Sequence, residues 1–275
     1  MTFSPTPLLR SAVALRLRRA GCVFAEEEAE LLMTAARTVA ELDTMTGRRA
    51  GGEPLEHVVG WAGFCGLRIF VDPGVFIPRR RTEFLVRHAA GLDRPAEPVV
   101  VDLCCGSGAV GAALTTALDG VAELHAADID PAAVRCAGRN LAPLGGQVHQ
   151  GDLFAALPAR LRGRITLLTA NTPYVPSGEI PLLPPEARLH EPRAALDGGP
   201  DGLDVQRRLA AEAAAWLAPG GHLLVEASSR QAGEAAAVFT AHGLTARITA
   251  SEDHDTTVVT ATATAAAPAG TGRSR

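Results

Sequence analysis

Apolar positions recur with different spacings along the chain, and the change of spacing divides it into parts. In the first fifty residues apolar positions recur with the spacing of helices. After a first helix, a second helix is predicted from about Ala25 to Leu42. The acidic run Glu26 to Glu28 near its start suits the dipole of a helix. A break is predicted at 47–52, followed by a short helix over 53–60 that stops at glycine. Residues 1–60 are therefore predicted to form a helical domain.

Extended apolar segments replace the helices over residues 61–78. They surround Gly66 and the turn sequence Asp72-Pro73-Gly74, and the pattern predicts a β-hairpin whose two strands are divided at this Pro-Gly pair. We expect the hairpin to link the helical domain to a larger domain at 79–262. The alanine-, proline- and glycine-rich residues 263–275 are predicted to be a disordered tail.

Beyond residue 98, short apolar strands alternate with helices that are rich in small residues. This alternation predicts an α/β fold with a doubly wound, mostly parallel sheet. Two final strands, at about 244–249 and 256–261, are predicted to close the sheet as an antiparallel pair. The strands before them are predicted at Val99–Leu103, Leu124–Asp128, Gln147–Gln150, Ile165–Ala170 and His222–Ala227.

Composition narrows the class of protein. The chain has 275 residues, 47% of them hydrophobic, and a formal net charge of −4. A mildly acidic chain is poorly suited to hold nucleic acid by charge, so we expect no stable nucleic-acid binding. It lacks both the ~20-residue apolar run of a membrane span and a secretory pattern at its start, so we expect a cytoplasmic protein without membrane association. Five cysteines without zinc-type spacing predict no metal site.

A glycine-rich loop follows the strand predicted to end at Leu103. Gly106-Ser107-Gly108-Ala109-Val110-Gly111 matches the pattern G-x-G-x-x-G between a strand and a helix, which indicates a nucleotide-type ligand on backbone amides. Asp128, at the end of the next strand, can accept hydrogen bonds from both hydroxyls of a ribose. These features suit NAD and S-adenosylmethionine equally.

Asp102 distinguishes between these two cofactors. It precedes Gly106 by four residues, in the last part of the strand. A carboxylate there would repel the pyrophosphate of NAD, whereas it would attract the sulfonium and ammonium groups of S-adenosylmethionine. The final antiparallel strands also suit the methyltransferase variant of the sheet. The sequence therefore predicts S-adenosylmethionine, with NAD and a glycine turn that binds no ligand as alternatives.

A second polar loop, Asn171-Thr172-Pro173-Tyr174, follows the strand predicted at 165–170. Ligands of open α/β sheets bind at the carboxyl ends of strands, so this loop is predicted to face the transferred methyl group. The Asn171 amide oxygen can accept a hydrogen bond from a substrate NH₂ group. Pro173 restricts the backbone, and Tyr174 can pack its ring on a planar amide or base. An ordinary turn after a strand is the alternative.

At these residues the chain resembles the protein-(glutamine-N5) methyltransferases that modify peptide-chain release factors. The resemblance spans about residues 8–262 and implies a Rossmann-like S-adenosylmethionine-dependent methyltransferase sheet, joined by the hairpin to a small helical substrate-recognition domain. Its most specific parts are Ile77-Pro78-Arg79 and Gly198-Gly199-Pro200-Asp201-Gly202-Leu203. These lie within the longer segments Val71 to Arg79 and Asp197 to Asp204. The resemblance also includes the segments Glu53 to Gly60, Phe64 to Leu67, Arg80 to Glu83, Asp102 to Gly108, Asn171 to Tyr174, Glu191-Pro192 and Pro219 to Gly221.

The resemblance implies a reaction and a set of site residues. The Asn171 side-chain oxygen and the Thr172 carbonyl would accept hydrogen bonds from the two N–H groups of a glutamine amide. This glutamine would lie in the Gly-Gly-Gln loop of a release factor, and its amide nitrogen would receive the methyl group. Asn171 and Tyr174 are predicted to be catalytic, and Asn171, Thr172, Pro173 and Tyr174 to bind substrate. The residues predicted to bind S-adenosylmethionine are Asp102, Cys104, Cys105, Gly106, Ser107, Gly108, Asp128, Asp152, Leu153 and Asn171.

The chain departs from the family pattern in both loops. Thr172 stands where the family has the first proline of Asn-Pro-Pro-Tyr, and Cys104-Cys105-Gly106 stands where it has glycine, a small residue and glycine. A divergent paralogue is therefore one interpretation. Methylation of an amino group on a nucleic-acid base and a non-catalytic cofactor-binding paralogue are the alternatives to glutamine methylation. The run Arg79 to Arg81 is either a solvated linker or a contact for a substrate or cofactor carboxylate.

Overall fold

A computed structural model describes residues 6–264 of the chain, so most of the tail predicted at 263–275 lies outside the described residues. Within this range the N-terminal region is a bundle of four helices. Their buried apolar side chains, among them Leu17, Leu32 and Leu42, form a core of their own. The helices are α1 (Pro7–Arg19), α2 (Ala25–Ala35), α3 (Val39–Ala50) and α4 (Leu55–Val59).

The single helix predicted from about Ala25 to Leu42 is wrong, because two helices occupy this stretch. The backbone is extended at Ala36 and Thr38, and the Glu41 N–H donates to Thr38 Oγ1 at 3.1 Å. A threonine at this position satisfies an N–H that the first turn of a helix leaves free. The side-chain cap therefore begins α3 where an uninterrupted apolar spacing suggested continuity.

Helix α3 continues through much of the break predicted at 47–52. Its last turn carries Arg49, whose side chain is 10% exposed and donates from Nε to Glu28 Oε2 of α2 at 2.6 Å. Arg49 Nη1 also donates to Glu186 at 2.6 Å, in helix α8 (Pro185–His190) of the larger part of the chain. One guanidinium thus joins the helical bundle to a helix far away in sequence.

The hairpin lies within the predicted region, but its turn is not the predicted one. Cys65 and Gly66 form the turn, both with positive φ, 49° and 75°, as in the two-residue turns that match strand twist. The prediction that Asp72-Pro73-Gly74 divides the strands is wrong, because that sequence forms a separate turn after the hairpin. The strands are β1 (Trp61–Phe64) and β2 (Leu67–Phe70).

A seven-stranded sheet dominates the rest of the described chain. Its strands are β3 (Val99–Leu103), β4 (Glu123–Asp128), β5 (Gln147–Gln150), β6 (Ile165–Ala170), β7 (Leu217–Ala227), β8 (Thr245–Ser251) and β9 (Thr256–Thr262). The spatial order is β5-β4-β3-β6-β7-β9-β8, and β9 is antiparallel to both of its neighbours. The doubly wound sheet with an antiparallel last strand is therefore confirmed.

Helices cover both faces of this sheet. Along β3, Val101 and Leu103 belong to the apolar core on one face and Val100 to the core on the other. None of the helices within residues 6–264 combines the length and the apolar character needed to cross a bilayer. Besides α8, the helices are α5 (Glu83–Ala90), α6 (Ala109–Ala117), α7 (Pro131–Leu141), α9 (Asp204–Trp216) and α10 (Ala232–Ala241).

The strand order brings the two loops of interest together. β3 lies between β4 and β6, and all three strands are parallel, so the loops after them meet at one edge of the sheet. The order of the strands reverses between β3 and β6, and open α/β sheets bind their ligands at such a switch point. The glycine loop follows β3 and the Asn171 loop follows β6.

Candidate active site

A cavity of about 640 Å³ opens at this edge of the sheet. The loops after β3, β4 and β6 line it, together with the segment that follows the hairpin and residues near α8. Of the residues predicted to bind cofactor or substrate, all except Gly108 line the cavity. They are Asp102, Cys104, Cys105, Gly106, Ser107, Asp128, Asp152, Leu153, Asn171, Thr172, Pro173 and Tyr174.

Gly108 lies behind the glycine loop, at the start of α6. Its φ is 77°, and a Cβ at this position would lie 3.1 Å from the side chains of Ala137 and Leu141 on α7. Glycine is required here because the backbone is left-handed and two helices approach closely. Its position is one of helix packing outside the cavity lining, and its predicted contact with the cofactor stays a prediction.

Cys104 and Gly106 shape the backbone of the loop, each with a φ of 53°. Glycine adopts this conformation freely, whereas a residue with a Cβ is strained by about 1–2 kcal/mol. Burial raises the pKa of the Cys104 and Cys105 thiols. Both thiols therefore stay protonated near neutral pH and serve as small wall residues, without the reactivity of a thiolate.

Asp102 holds the loop from within. Its side chain is buried, with Oδ2 accepting from the Gly111 N–H and Oδ1 from the Thr169 hydroxyl, both at 3.0 Å. Burial raises the pKa of Asp102 to about 7. The carboxyl group thus organises the start of α6 and adds negative potential to the cavity wall when it is ionised.

Asp128 fastens the loop from the neighbouring strand. Its Oδ2 accepts from the Gly106 N–H at 2.8 Å and its Oδ1 from the Asp130 N–H at 2.9 Å. A carboxylate has about four acceptor positions, so lone pairs remain for a ligand in the cavity. Asp152 lies on the same side and is paired with Arg208 at 2.6 Å.

Asn171 and Thr172 behave differently at the end of β6. The Asn171 side chain is half-buried on the cavity wall and has no hydrogen-bond partner among residues 6–264. Thr172 is buried, and its hydroxyl accepts from Gln206 Nε2 of α9 at 3.4 Å. The amide of Asn171 is therefore available to a ligand, whereas the hydroxyl that Thr172 adds to the family pattern is directed at the protein itself.

Glu226 organises the far side of the same loop and is not among the predicted site residues. It lies near the end of β7, where Val225 pairs with Ala170 of β6, so it is level with Asn171. Its side chain is buried and accepts from Tyr174 Oη at 3.1 Å. A carboxylate directly after the apolar run of β7, at the ligand-binding edge of the sheet, is the signal that could have identified it.

The arginine run after the hairpin does not form a solvated linker, whereas its contact with a substrate or cofactor carboxylate stays a prediction. Arg79 donates to both oxygens of the buried Glu191, at 2.7 and 2.6 Å. Arg81 donates from Nε to Glu226 at 3.0 Å and from Nη2 to the Tyr174 hydroxyl. Two of the three arginines thus bind the protein's own carboxylates and attach this segment to the cavity wall, instead of forming a solvated linker.

Comparison with known proteins agrees with this architecture. A family model described as "Methyltransferase small domain" matches residues 66–176. A solved structure of a methyltransferase from Pyrococcus furiosus superposes with a TM-score of 0.55 at 14% identity, over 73% of this chain and 90% of that one. The likeness at this level of identity concerns the fold, and it confirms the methyltransferase form of the sheet.

Relatives by sequence cover most of the chain. A protein of Streptomyces coelicolor described as a release factor glutamine methyltransferase is 39% identical over 199 residues, 71% of this chain and 70% of its own length. A protein of Streptomyces pristinaespiralis, described as a 4-amino-L-phenylalanine/4-methylamino-L-phenylalanine methyltransferase, is also 39% identical, over 202 residues, 71% of this chain and 68% of its own length. Two acceptor chemistries are thus represented among similar sequences.

Proposed function

This chain belongs to the release factor glutamine methyltransferase family, and we propose that it transfers a methyl group from S-adenosylmethionine to a glutamine side-chain nitrogen of a peptide-chain release factor. The observation that carries the proposal is the Asn171 amide, which has no hydrogen-bond partner within residues 6–264 and lies in the same cavity as the glycine loop and its carboxylates. An amide acceptor beside a cofactor loop is what methyl transfer to an NH₂ group requires.

The lining of the cavity suits S-adenosylmethionine. Asp128 retains lone pairs for the ribose hydroxyls, and Ile129, which is 60% exposed, offers an apolar surface to a flat base. The charge on Asp102 attracts the ammonium and sulfonium groups. When bound, S-adenosylmethionine supplies an electrophilic methyl group on a positively charged sulfur.

The Asn171 loop would hold the methyl acceptor. The Asn171 Oδ1 and the Thr172 carbonyl accept hydrogen bonds from the two N–H groups of the glutamine amide, while the Tyr174 ring packs against the plane of that amide. An amide nitrogen is a weak nucleophile, so the rate depends on orientation and polarisation by fixed groups. Because the Thr172 carbonyl is part of the backbone, the exchange of proline for threonine preserves this acceptor.

The helical bundle and the hairpin are proposed to bind the protein substrate. Arg49 of α3 contacts Glu186, and Glu186 lines the cavity. The bundle is thereby anchored beside the opening through which a protein loop would enter. A Gly-Gly-Gln loop suits a site of this kind, because glycines leave the backbone beside the glutamine free of side chains.

A second candidate is methylation of the amino group of an aromatic amino acid. The Streptomyces pristinaespiralis relative is as similar to this chain as the release factor enzyme from Streptomyces coelicolor. Thr172 is the departure from the family pattern in the acceptor loop itself. An arylamine also presents an NH₂ group, from which the Asn171 oxygen would accept a hydrogen bond in the same way.

Methyl-labelled S-adenosylmethionine separates these candidates when the protein is given one acceptor at a time. The acceptors are unmethylated release factor, 4-amino-L-phenylalanine, and RNA or DNA lacking base methylation. We expect methylglutamine in the release factor, identified by tandem mass spectrometry. Label in the amino acid alone establishes the second candidate, and label in bases establishes nucleic-acid methylation. Cofactor binding without transfer to any protein of a cell extract indicates a non-catalytic paralogue.

A further inference from the structure

Glu226 is a buried charge at the acceptor end of the cavity that the reaction proposed above does not use. Its side chain is 3% exposed and lies beside the end of β6, on the neighbouring strand β7. Burying a carboxylate is costly unless hydrogen bonds and an opposite charge compensate for it. The groups that contact Glu226 therefore indicate the role of its buried carboxylate.

Those partners belong to two segments that form the cavity wall. Thr82 Oγ1 donates to Oε2 at 2.6 Å, and Arg81 Nε donates to Oε1 at 3.0 Å. Tyr174 Oη donates to the same Oε1 at 3.1 Å and accepts from Arg81 Nη2. One carboxylate thus connects the segment after the hairpin, the acceptor loop and the central sheet.

The surroundings of Tyr174 disfavour a phenolate, which leaves the ring as the part that can contact the acceptor. Burial and the neighbouring Glu226 charge raise the pKa of Tyr174 to about 12, so the hydroxyl stays protonated. Its hydrogen is directed at Glu226 and its lone pair at Arg81, which together restrict rotation of the ring. The backbone of Tyr174 is held as well, because its carbonyl accepts from Gln231 Nε2 at 2.9 Å.

We propose that Glu226 is the positioning residue of the acceptor site, which fixes the Tyr174 ring and the Arg81 guanidinium against the cavity before substrate enters. The proposal rests on the methyl transfer proposed above, for which the ring must lie flat against the acceptor. Glu226 itself touches neither acceptor nor cofactor. Its effect on the rate passes through Tyr174 and Arg81.

Substitution of Glu226 by glutamine preserves the shape and removes the charge. In the full-length protein we expect Glu226→Gln to lower kcat by on the order of 10- to 100-fold, because small displacements of positioning groups have effects of this size. The affinity for S-adenosylmethionine, measured by calorimetry, should change by less than about twofold, since the cofactor loop has separate supports. A combined loss of cofactor affinity and folding would contradict a positioning role.

A double-mutant cycle with Tyr174→Phe tests whether the effect passes through the ring. If it does, Glu226→Gln lowers kcat little further once the tyrosine hydroxyl is absent. Glu191→Gln is the matched control, because Glu191 is likewise buried and paired with an arginine, Arg79, but does not contact Tyr174. The fold-decreases in kcat caused by Glu191→Gln and Tyr174→Phe should multiply in the double variant. If the fold-decreases of Glu226→Gln and Tyr174→Phe also multiplied, Glu226 would be a structural ion pair and not a positioning residue.

Tyr174 is the only tyrosine of the chain, which provides a readout that needs no substrate. Tyrosinate absorbance should titrate at lower pH in Glu226→Gln than in the parent protein, and a single labelled tyrosine NMR signal should shift or broaden. Glu191→Gln should leave both unchanged. An unchanged tyrosine signal in Glu226→Gln overturns the proposal whichever acceptor is methylated, whereas failure to methylate release factor by the parent protein overturns only the proposed function.

Discussion

Two of the loops that line the cavity, the glycine loop after β3 (the cofactor loop) and the Asn171 loop after β6 (the acceptor loop), are supported in different ways. In the cofactor loop, backbone N–H groups of Gly106 and Gly111 donate to Asp128 and Asp102, which lie 22 and 9 residues away in sequence. The acceptor loop has no such local framework among the described residues. Side chains 34 to 93 residues away support it, namely Gln206, Glu226, Gln231 and Arg81.

This difference separates binding of the cofactor from transfer of its methyl group. A loop held by nearby carboxylates keeps its shape as long as its own strands are in place. A loop held by distant side chains depends on the packing of the whole domain and of the segment after the hairpin. Cofactor affinity should therefore respond to Asp102 and Asp128, and transfer to the residues around Asn171.

The largest expected effect concerns the local support of the cofactor loop. Burial raises the pKa of Asp102 from 3.8 to about 7, so between these values the folded protein holds a proton that the unfolded chain has released. The free energy of unfolding of the cofactor-free protein should then fall as pH rises from about 4 to 7. The Asp102 contribution is on the order of 4 kcal/mol, since one pKa unit corresponds to about 1.4 kcal/mol.

Urea unfolding of the parent protein and of Asp102→Asn across this pH range measures that contribution. The variant does not titrate, so the difference between the two stability curves isolates Asp102 from the other carboxylates. Binding of the cationic cofactor should also release a proton near pH 6 in the parent protein and not in the variant. Parallel stability curves would show that Asp102 is not the titrating support of the loop.

Asn171→Ala should have the largest effect on transfer. Loss of one preorganised polar contact lowers a rate by on the order of 10²- to 10³-fold, and the Asn171 amide has no structural partner in the described chain to confuse the result. Single-turnover kinetics with saturating S-adenosylmethionine should detect the loss, with the cofactor dissociation constant nearly unchanged. If Asn171→Ala weakened the affinity for S-adenosylmethionine instead, the two loops would act together in cofactor binding.

Asp128→Ala should produce the converse result. Removing the carboxylate leaves the Gly106 N–H without its acceptor and removes the proposed contact with the ribose, so cofactor binding should weaken by about 1.5–3 kcal/mol. Calorimetry gives the affinity, and Asp130→Ala serves as a neighbouring acidic control. If the rate at saturating cofactor fell further than the affinity, Asp128 would contribute to transfer as well as to binding.

The smallest effect is expected at Thr172, despite its place in the acceptor loop. Its hydroxyl makes one long hydrogen bond with Gln206, so Thr172→Val should cost no more than about 1 kcal/mol of stability and leave transfer within tenfold. Thr172→Pro restores the family residue and should preserve activity on release factor, because the acceptor carbonyl remains. A large loss of native activity in both variants would indicate that the hydroxyl was selected for another substrate.

The same contrast explains which features could be predicted from the sequence. The sheet, the glycine loop, Asp102, Asp128 and Asn171 follow from strand ends and nearby residues, so local patterns identified them. Glu226 and Arg81 meet across 145 residues. The place of Glu226 at the end of β7 is a local signal for the ligand-binding edge, but no local pattern pairs it with Arg81. The hairpin turn was misplaced for a related reason, because a strong Pro-Gly signal lay close to a cysteine that adopts positive φ.

Arg49 has a consequence for how this enzyme could be re-engineered. Its guanidinium is shared between Glu28 of the helical bundle, whose side chain is 11% exposed, and Glu186 at the cavity. A chimera that grafts a relative's bundle onto this catalytic domain must supply a cation at the same place, or Glu186 loses its partner. The bundle is therefore not an interchangeable module, and a change of protein substrate by domain exchange requires α3 and α8 to be altered together.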